Sequence, residues 1–241
     1  TKNVDTCTVN AIQFAAKLLE DCGGKLMVFQ ASMPSYGSGK LKLRETPAIL
    51  GTEAEKDLLC PGTPLYHELG VALVEKQISV DFFLGAAQYA DLPTISGLCD
   101  ATGGQFFYYP SFHSEGPQDI YHDLTRETGF EAVYRVRVPQ GAKVSMFHGN
   151  FTLSNTDLMV LPVCHADTTV VLEFSIESVL SMPCFPIQGA LLYTNSRGER
   201  RIRVHTLSIP ISNILSHLFE RVNQDVITAI TLHQGMNRHL D

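Results

Sequence analysis

The first half of the chain alternates between helical and extended hydrophobic spacing. Val9, Ile12, Ala15, Ala16 and Leu19 recur at helical intervals, and Gly23-Gly24 ends the run. Residues 25–30 (KLMVFQ) then read as a buried strand, and residues 32–44 as a loop rich in Gly, Ser, Pro and Lys. Thr63-Pro64 predicts a helix start that runs to about Lys76, because Thr can cap and Pro at the first helical position loses no needed hydrogen bond. A strand over 78–84 follows, then a short helix marked by Leu92, Ile95, Leu98 and Cys99 and closed by Gly103-Gly104. A strand over 105–109 and a helix opened by Pro117 complete this half. Strands alternating with helices imply a parallel, doubly wound sheet, since parallel strands need crossover helices. Three strands are too few for a complete sheet, so the chain is expected to begin inside a domain.

After Gly129 the period shortens. Residues 130–138, 142–153, 168–174, 188–194 and 200–209 are β-branched or aromatic segments. Turn signals such as Pro139-Gln140-Gly141 and Asn195-Ser196-Arg197-Gly198 separate them. Strands without intervening helices predict an antiparallel sandwich. From Asn213 helical spacing returns, with Ile214, Leu215, Leu218, Phe219, Val222 and Val226 on one stripe.

Composition narrows the function. The chain has 241 residues with 25 acidic against 18 basic, a net charge of −7. A nucleic-acid binder needs a basic surface to displace counterions, so none is expected as a partner. The six cysteines, Cys7, Cys22, Cys60, Cys99, Cys164 and Cys184, form no C-x-x-C pair. They read as free thiols of a reducing compartment. Asn150-Phe151-Thr152 is a sequon that would be silent there. No apolar run approaches the ~20 residues that cross a bilayer.

Catalytic patterns fail one after another. Gly37-Ser38-Gly39-Lys40 invites a phosphate-loop reading, but Pro34 and Leu41 stand where the motif needs Gly and Ser or Thr. The histidines at 67, 113, 122, 148, 165, 205, 217, 233 and 239 form no metalloprotease pair, and no nucleophile elbow is present. Cys164 and His165 are adjacent and would point to opposite faces of a strand. Asp119 and Asp123 lie four apart and read as a solvated helix face.

Two arginine patterns remain. In residues 133–138 the period of two puts Arg135 and Arg137 on one face and Tyr134, Val136 and Val138 on the other. The two stems are then ~7 Å apart, able to receive one carboxylate or two adjacent ones. Arg201, Arg203 and His205 likewise share a face. Spacing alone favours solvated outer faces of a half-buried sheet, because a binding site also needs an apolar pocket beside the charges.

Several collinear segments resemble the cargo-adaptor subunit of the COPII inner coat, the Sec-twenty-four family. They are Gly39-Lys40-Leu41-Lys42 with Arg44, Val80 to Leu84 with Gln88-Tyr89-Ala90-Asp91, and Thr102-Gly103-Gly104. Further along come Gly129-Phe130-Glu131-Ala132-Val133 leading into Arg135-Val136-Arg137, then Ser154-Asn155-Thr156-Asp157, Ala190-Leu191-Leu192-Tyr193-Thr194 and Arg200-Arg201-Ile202-Arg203.

The resemblance implies an α/β plus all-β fold. Residues 1–128 would be the C-terminal half of a von Willebrand A-like trunk domain, 129–211 a β-sandwich, and 212–241 the start of a helical domain. It implies a non-enzymatic protein of the cytoplasm, peripheral on the endoplasmic reticulum membrane and COPII vesicles. That protein would bind sorting signals of cargo and SNARE proteins for export to the Golgi. Arg135, Arg137 and Leu192 match positions of a cargo-signal site, and the family's further arginines lie upstream. No cofactor is expected within the chain, the family's structural zinc also lying upstream. The implied partners are the paralogous inner-coat subunit through the trunk, with a small GTPase of the Sar family and the outer-coat cage reached indirectly. Departures are residues 138–140, where the family more often has small polar residues, and 178–186, which do not align. Two alternatives stand: the paralogous GTPase-activating subunit, and an enzyme on a doubly wound fold.

Overall fold

The computed structural model describes residues 5–86, 89–111, 115–155, 157–180 and 182–238. Gln88 and Thr156 of the resemblance segments, His113, His239 and part of the unaligned 178–186 segment lie outside the described residues.

The first half builds a three-stranded parallel sheet in the order β1 (Gly24–Gln30), β2 (Ile78–Leu84), β3 (Phe106–Tyr108). Helices α2 (Leu65–Glu75) and α3 (Leu92–Thr102) make the crossovers, while α1 (Thr8–Leu18) precedes β1 and α4 (Glu115–Thr125) follows β3. All seven residues of β2 are buried, as a central parallel strand covered on both faces must be. Val9 and Ile12 of α1, Tyr66 and Leu73 of α2, Ile95 and Leu98 of α3, and Ile78, Val80, Phe82 and Leu84 of β2 form one core. On the opposite face Phe29, Phe83 and Phe107 stack across the three strands, with centroids 4.9 and 4.7 Å apart.

The α3 to β3 connection depends on close backbone approach. Gly103 caps α3 in the left-handed region at φ 70°. A Cβ on Gly104 would sit 1.9 Å from the Val80 carbonyl oxygen, so only glycine fits there. Pro64 has helical dihedrals, as expected of the first helical position, although the helix is assigned from Leu65, and Leu65 N–H bonds the Thr63 hydroxyl at 3.4 Å. A 3-10 helix over Glu53–Leu59, which lacks an apolar face, was not legible in the sequence.

The second half is antiparallel. A five-stranded sheet runs β10 (Arg200–Pro210), β9 (Cys184–Asn195), β4 (Thr128–Arg137), β7 (Leu158–His165), β6 (Thr152–Ser154). A second sheet pairs β5 (Ala142–His148) with β8 (Val171–Ile176), and the edge-on contact of Phe174 with Phe185 brings the layers together. The two layers form the expected sandwich, here with one sheet of two strands.

Three expectations change. The segment 142–153 is two strands: Gly149, at φ 146°, and Asn150 break it, so β5 pairs in one sheet and β6 in the other. Strand β7 was missed because LMVLPVCH is continuously apolar and contains Pro162. Pro162 stands across from Glu131, at φ 48°, the one position that drops out of an otherwise continuous β4–β7 register, so its missing N–H falls where no ladder pair forms; the bulge of β4 at this point is against β9. The final stripe is two helices, α5 (Leu215–Arg221) and α6 (Gln224–Arg238). Asn223 Oδ1 accepts from the N–H groups of Asp225 and Val226 and so caps a new helix.

Strand β10 also departs from the half-buried reading. Every residue on it is exposed, Ile202 and Val204 at 69% and 53%, because among the described residues nothing covers either face of this edge. Arg201, Arg203 and His205 share a face as expected, with Arg201 paired to Glu199 and Arg203 to Glu127 at 3.7 Å.

Candidate functional site

Register places the three expected site residues on one face of the five-stranded sheet. Directly opposed residues of antiparallel strands project the same way. Val133 faces Leu192, which faces Ile202; Arg135 faces Ala190, which faces Val204; Arg137 faces Gln188, which faces Thr206. Leu192 is therefore a diagonal neighbour of Arg135. The apolar ground beside the arginines consists of Val133, Ala190, Leu192, Ile202 and Val204. The alternating residues Ala132 and Val136, with Met159 and Leu161 of β7, point into the core.

The two arginines differ in their surroundings. Arg135 Nε and Nη2 both reach Asp157 Oδ2 at 2.7 Å, and the two side chains are 47% and 37% exposed. Arg137 is exposed, and among the described residues no ion pair reaches it. The face is open rather than hollow. The principal clefts lie elsewhere: between α1 and α2, along α1 and β1, beside α5, and around Lys25 and Asp123.

The cleft beside Lys25 and Asp123, about 350 Å³, corrects the reading of Asp119 and Asp123 as a solvated face. Asp119 accepts a hydrogen bond from the Tyr109 hydroxyl at 2.7 Å. Asp123 is only 1% exposed; it accepts from Lys25 Nζ at 2.6 Å and pairs with Arg126 Nη2. Lys25 also reaches Asp81 at 3.0 Å, and Arg126 Nη1 reaches Asp167 at 3.3 Å and Gln105 Oε1 at 2.9 Å. His122 contacts Asp167 at 2.8 Å. Burial raises the Asp81 carboxyl, against the pull of Lys25. The group ties β1, β2 and α4 to the turn after β7, joining the two halves. A signal was available: Lys25 and Asp81 sit in apolar strands, where charges need partners.

The surroundings of Cys164 and His165 disfavour an activated thiol. Burial raises the Cys164 thiol, and burial with the nearby Arg126 lowers the His165 imidazole to about 4. Among the described residues no group of three or more His, Cys, Asp or Glu could hold a metal ion. Nor is any described helix long and apolar enough to cross a membrane. None of the six cysteines is in a disulfide.

A parallel α/β unit feeding an antiparallel sandwich has counterparts among known proteins. The family models for the Sec23/Sec24 trunk domain and the Sec23/Sec24 beta-sandwich domain match residues 1–128 and 129–212. The chain belongs to the Sec23/Sec24 family. Protein transport protein SEC24 of Dictyostelium discoideum is 37% identical over 246 residues, 99% of this chain and 24% of that protein. Sec24A of Bos taurus is 36% identical over 249 residues, 99% of this chain and 23% of that protein. The human COPII-coat protein Sec24c superposes with a TM-score of 0.80 at 36% identity, covering 88% of this chain and 30% of that one. The resemblance read from the residues thus holds on the Sec24 side of the family. The chain spans about a quarter of the length of the curated relatives it matches.

Proposed function

We propose that this chain is the central part of a COPII cargo adaptor that binds sorting signals of cargo and SNARE proteins for export from the endoplasmic reticulum to the Golgi. The observation that carries it is one strand face holding Arg135 and Arg137 beside Leu192, within a chain that matches Sec24 proteins over nearly its whole length.

A signal carboxylate docked on the arginines gains charge-assisted bonds of about 1.5–3 kcal/mol each, and a signal side chain covers the apolar strip around Leu192. Ordering a flexible tail offsets much of this, so single sites bind weakly. Weak sites suit a coat, where many adaptors on one membrane act together. In this reading the protein acts by binding, not catalysis. It sits in the cytoplasm, peripheral on the endoplasmic reticulum membrane and COPII vesicles. The trunk docks the paralogous inner-coat subunit, and the Sar-type GTPase and outer cage are reached through that assembly. Structural zinc belongs to the polypeptide upstream of these residues.

The test is fluorescence anisotropy of a labelled tail peptide carrying a glutamate next to a leucine, titrated with the full-length polypeptide. Binding weakens with salt and is abolished by Arg135→Ala with Arg137→Ala. Equal binding by the double variant removes these arginines from the site.

A further inference from the structure

We propose that Asp157 is a built-in counter-ion that competes with the ligand's carboxylate for Arg135 and thereby sets the affinity of the arginine face. The inference rests on the reading of that face as a site for anionic peptide signals.

The geometry distinguishes a competitor from a support. A carboxylate meets an arginine best side-on, through the fork made by Nε and one terminal nitrogen. In Arg135 both donors of that fork, Nε and Nη2, already point at Asp157 Oδ2, each at 2.7 Å. A residue that merely oriented the guanidinium would leave the fork free. An incoming carboxylate must therefore displace Asp157 or accept a poorer approach. Arg137, two residues along, carries no such tie among the described residues.

Displacement is easy because both groups are wet. With 47% and 37% of their side chains exposed, the pair belongs to the class of surface ion pairs whose net strength is small. The element bearing Asp157 is also lightly held. It is the connection between β6 and β7, and β6 contributes only the pairs from Thr152 with Val160 to Ser154 with Leu158 at the sheet edge. Asn155 turns the chain there in the left-handed region at φ 62°.

A site whose competent form is only partly populated binds more weakly by that fraction. An exposed pair of ordinary strength therefore costs the ligand about two- to sixfold in affinity. The charge also repels the ligand's own carboxylate, so neutral peptides are spared and acidic ones held to weak, reversible binding.

The experiment titrates two peptides, one with glutamate next to leucine and one with glutamine in its place, against the full-length polypeptide. The proteins are wild type, Asp157→Asn, Asp157→Ser, Arg135→Ala, Arg135→Ala with Asp157→Asn, and the Arg135→Ala, Arg137→Ala pair. The expected result is a gain of about two- to sixfold for the acidic peptide in both Asp157 variants. No gain is expected for the glutamine peptide or in the Arg135→Ala background. If the Asp157 variants bind the acidic peptide no tighter than wild type while the double arginine variant loses it, the site stands and the counter-ion role is overturned. A gain that persists without Arg135 overturns it too, as a general charge effect. If the double arginine variant binds like wild type, the site reading itself falls and takes this inference with it.

Discussion

Replacing Asp123 by asparagine removes one charge from a buried group of four without changing its size. In the folded protein the Asp123 carboxylate lies between Lys25 Nζ, at 2.6 Å, and Arg126 Nη2, and only 1% of the residue is exposed. Breaking a buried pair from one side costs about 3–5 kcal/mol, because the remaining charge stays buried without compensation. Here each cation keeps a second carboxylate: Lys25 keeps Asp81 at 3.0 Å, and Arg126 keeps Asp167 at 3.3 Å. The loss therefore falls at the lower end, about 3 kcal/mol. Urea unfolding followed by far-UV circular dichroism measures it, the chain having no tryptophan to report. The midpoint should fall with the slope unchanged. Asp119→Asn, a change one helical turn away, is the reference and should cost less, about 1 kcal/mol for one hydrogen bond from Tyr109. A loss below ~1 kcal/mol for Asp123→Asn would refute the view that this group is a buried ionic tie.

Two further outcomes are expected. His165 is held near 4 by burial, below its ordinary 6.5, so the unfolded chain takes up its proton first as pH falls. Stability should be full above about 6.5 and decline from there towards pH 4; His165→Gln should flatten that part of the urea-midpoint profile, and an unchanged slope would contradict the assignment. Arg44 ties the 3-10 helix to the start of α3, through Asp91 at 2.5 and 3.0 Å and the carbonyls of Asp57 and Cys60 at 2.8 and 2.9 Å. Arg44→Met should speed tryptic cleavage at Lys56; equal cleavage rates would show that the segment is held by other contacts.

Much of the fold was legible because the apolar spacing agreed with the final burial. In α1, Val9 and Ile12 face the core, and in β4 the alternation of Tyr134 and Val136 with the arginines survives intact. What was missed needed information beyond local spacing. Strand β7 carries Pro162 at the one position missing from its pairing with β4, opposite Glu131, and nothing in the run LMVLPVCH announces it. The change of sheet at Gly149 and the fresh cap at Asn223 are decided by single residues inside otherwise continuous patterns. The same holds for the site. Arg135, Arg137 and Leu192 share a face by register, which period two anticipates for the arginines but not for Leu192, 55 residues beyond Arg137 in the chain. Asp157 reaches Arg135 from the turn of another hairpin, a contact only the folded topology creates. The charge group around Asp123 spans residues 25 to 167, so helix periodicity alone assigned its carboxylates to solvent.

The most direct test of the account is a crystal structure of the full-length polypeptide soaked with a tail peptide bearing glutamate next to leucine. The peptide carboxylate is predicted to lie within hydrogen-bond distance of Arg137 or Arg135, with its leucine over Leu192 and Val133. Peptide density on another surface, with these arginines left in solvent, would contradict it.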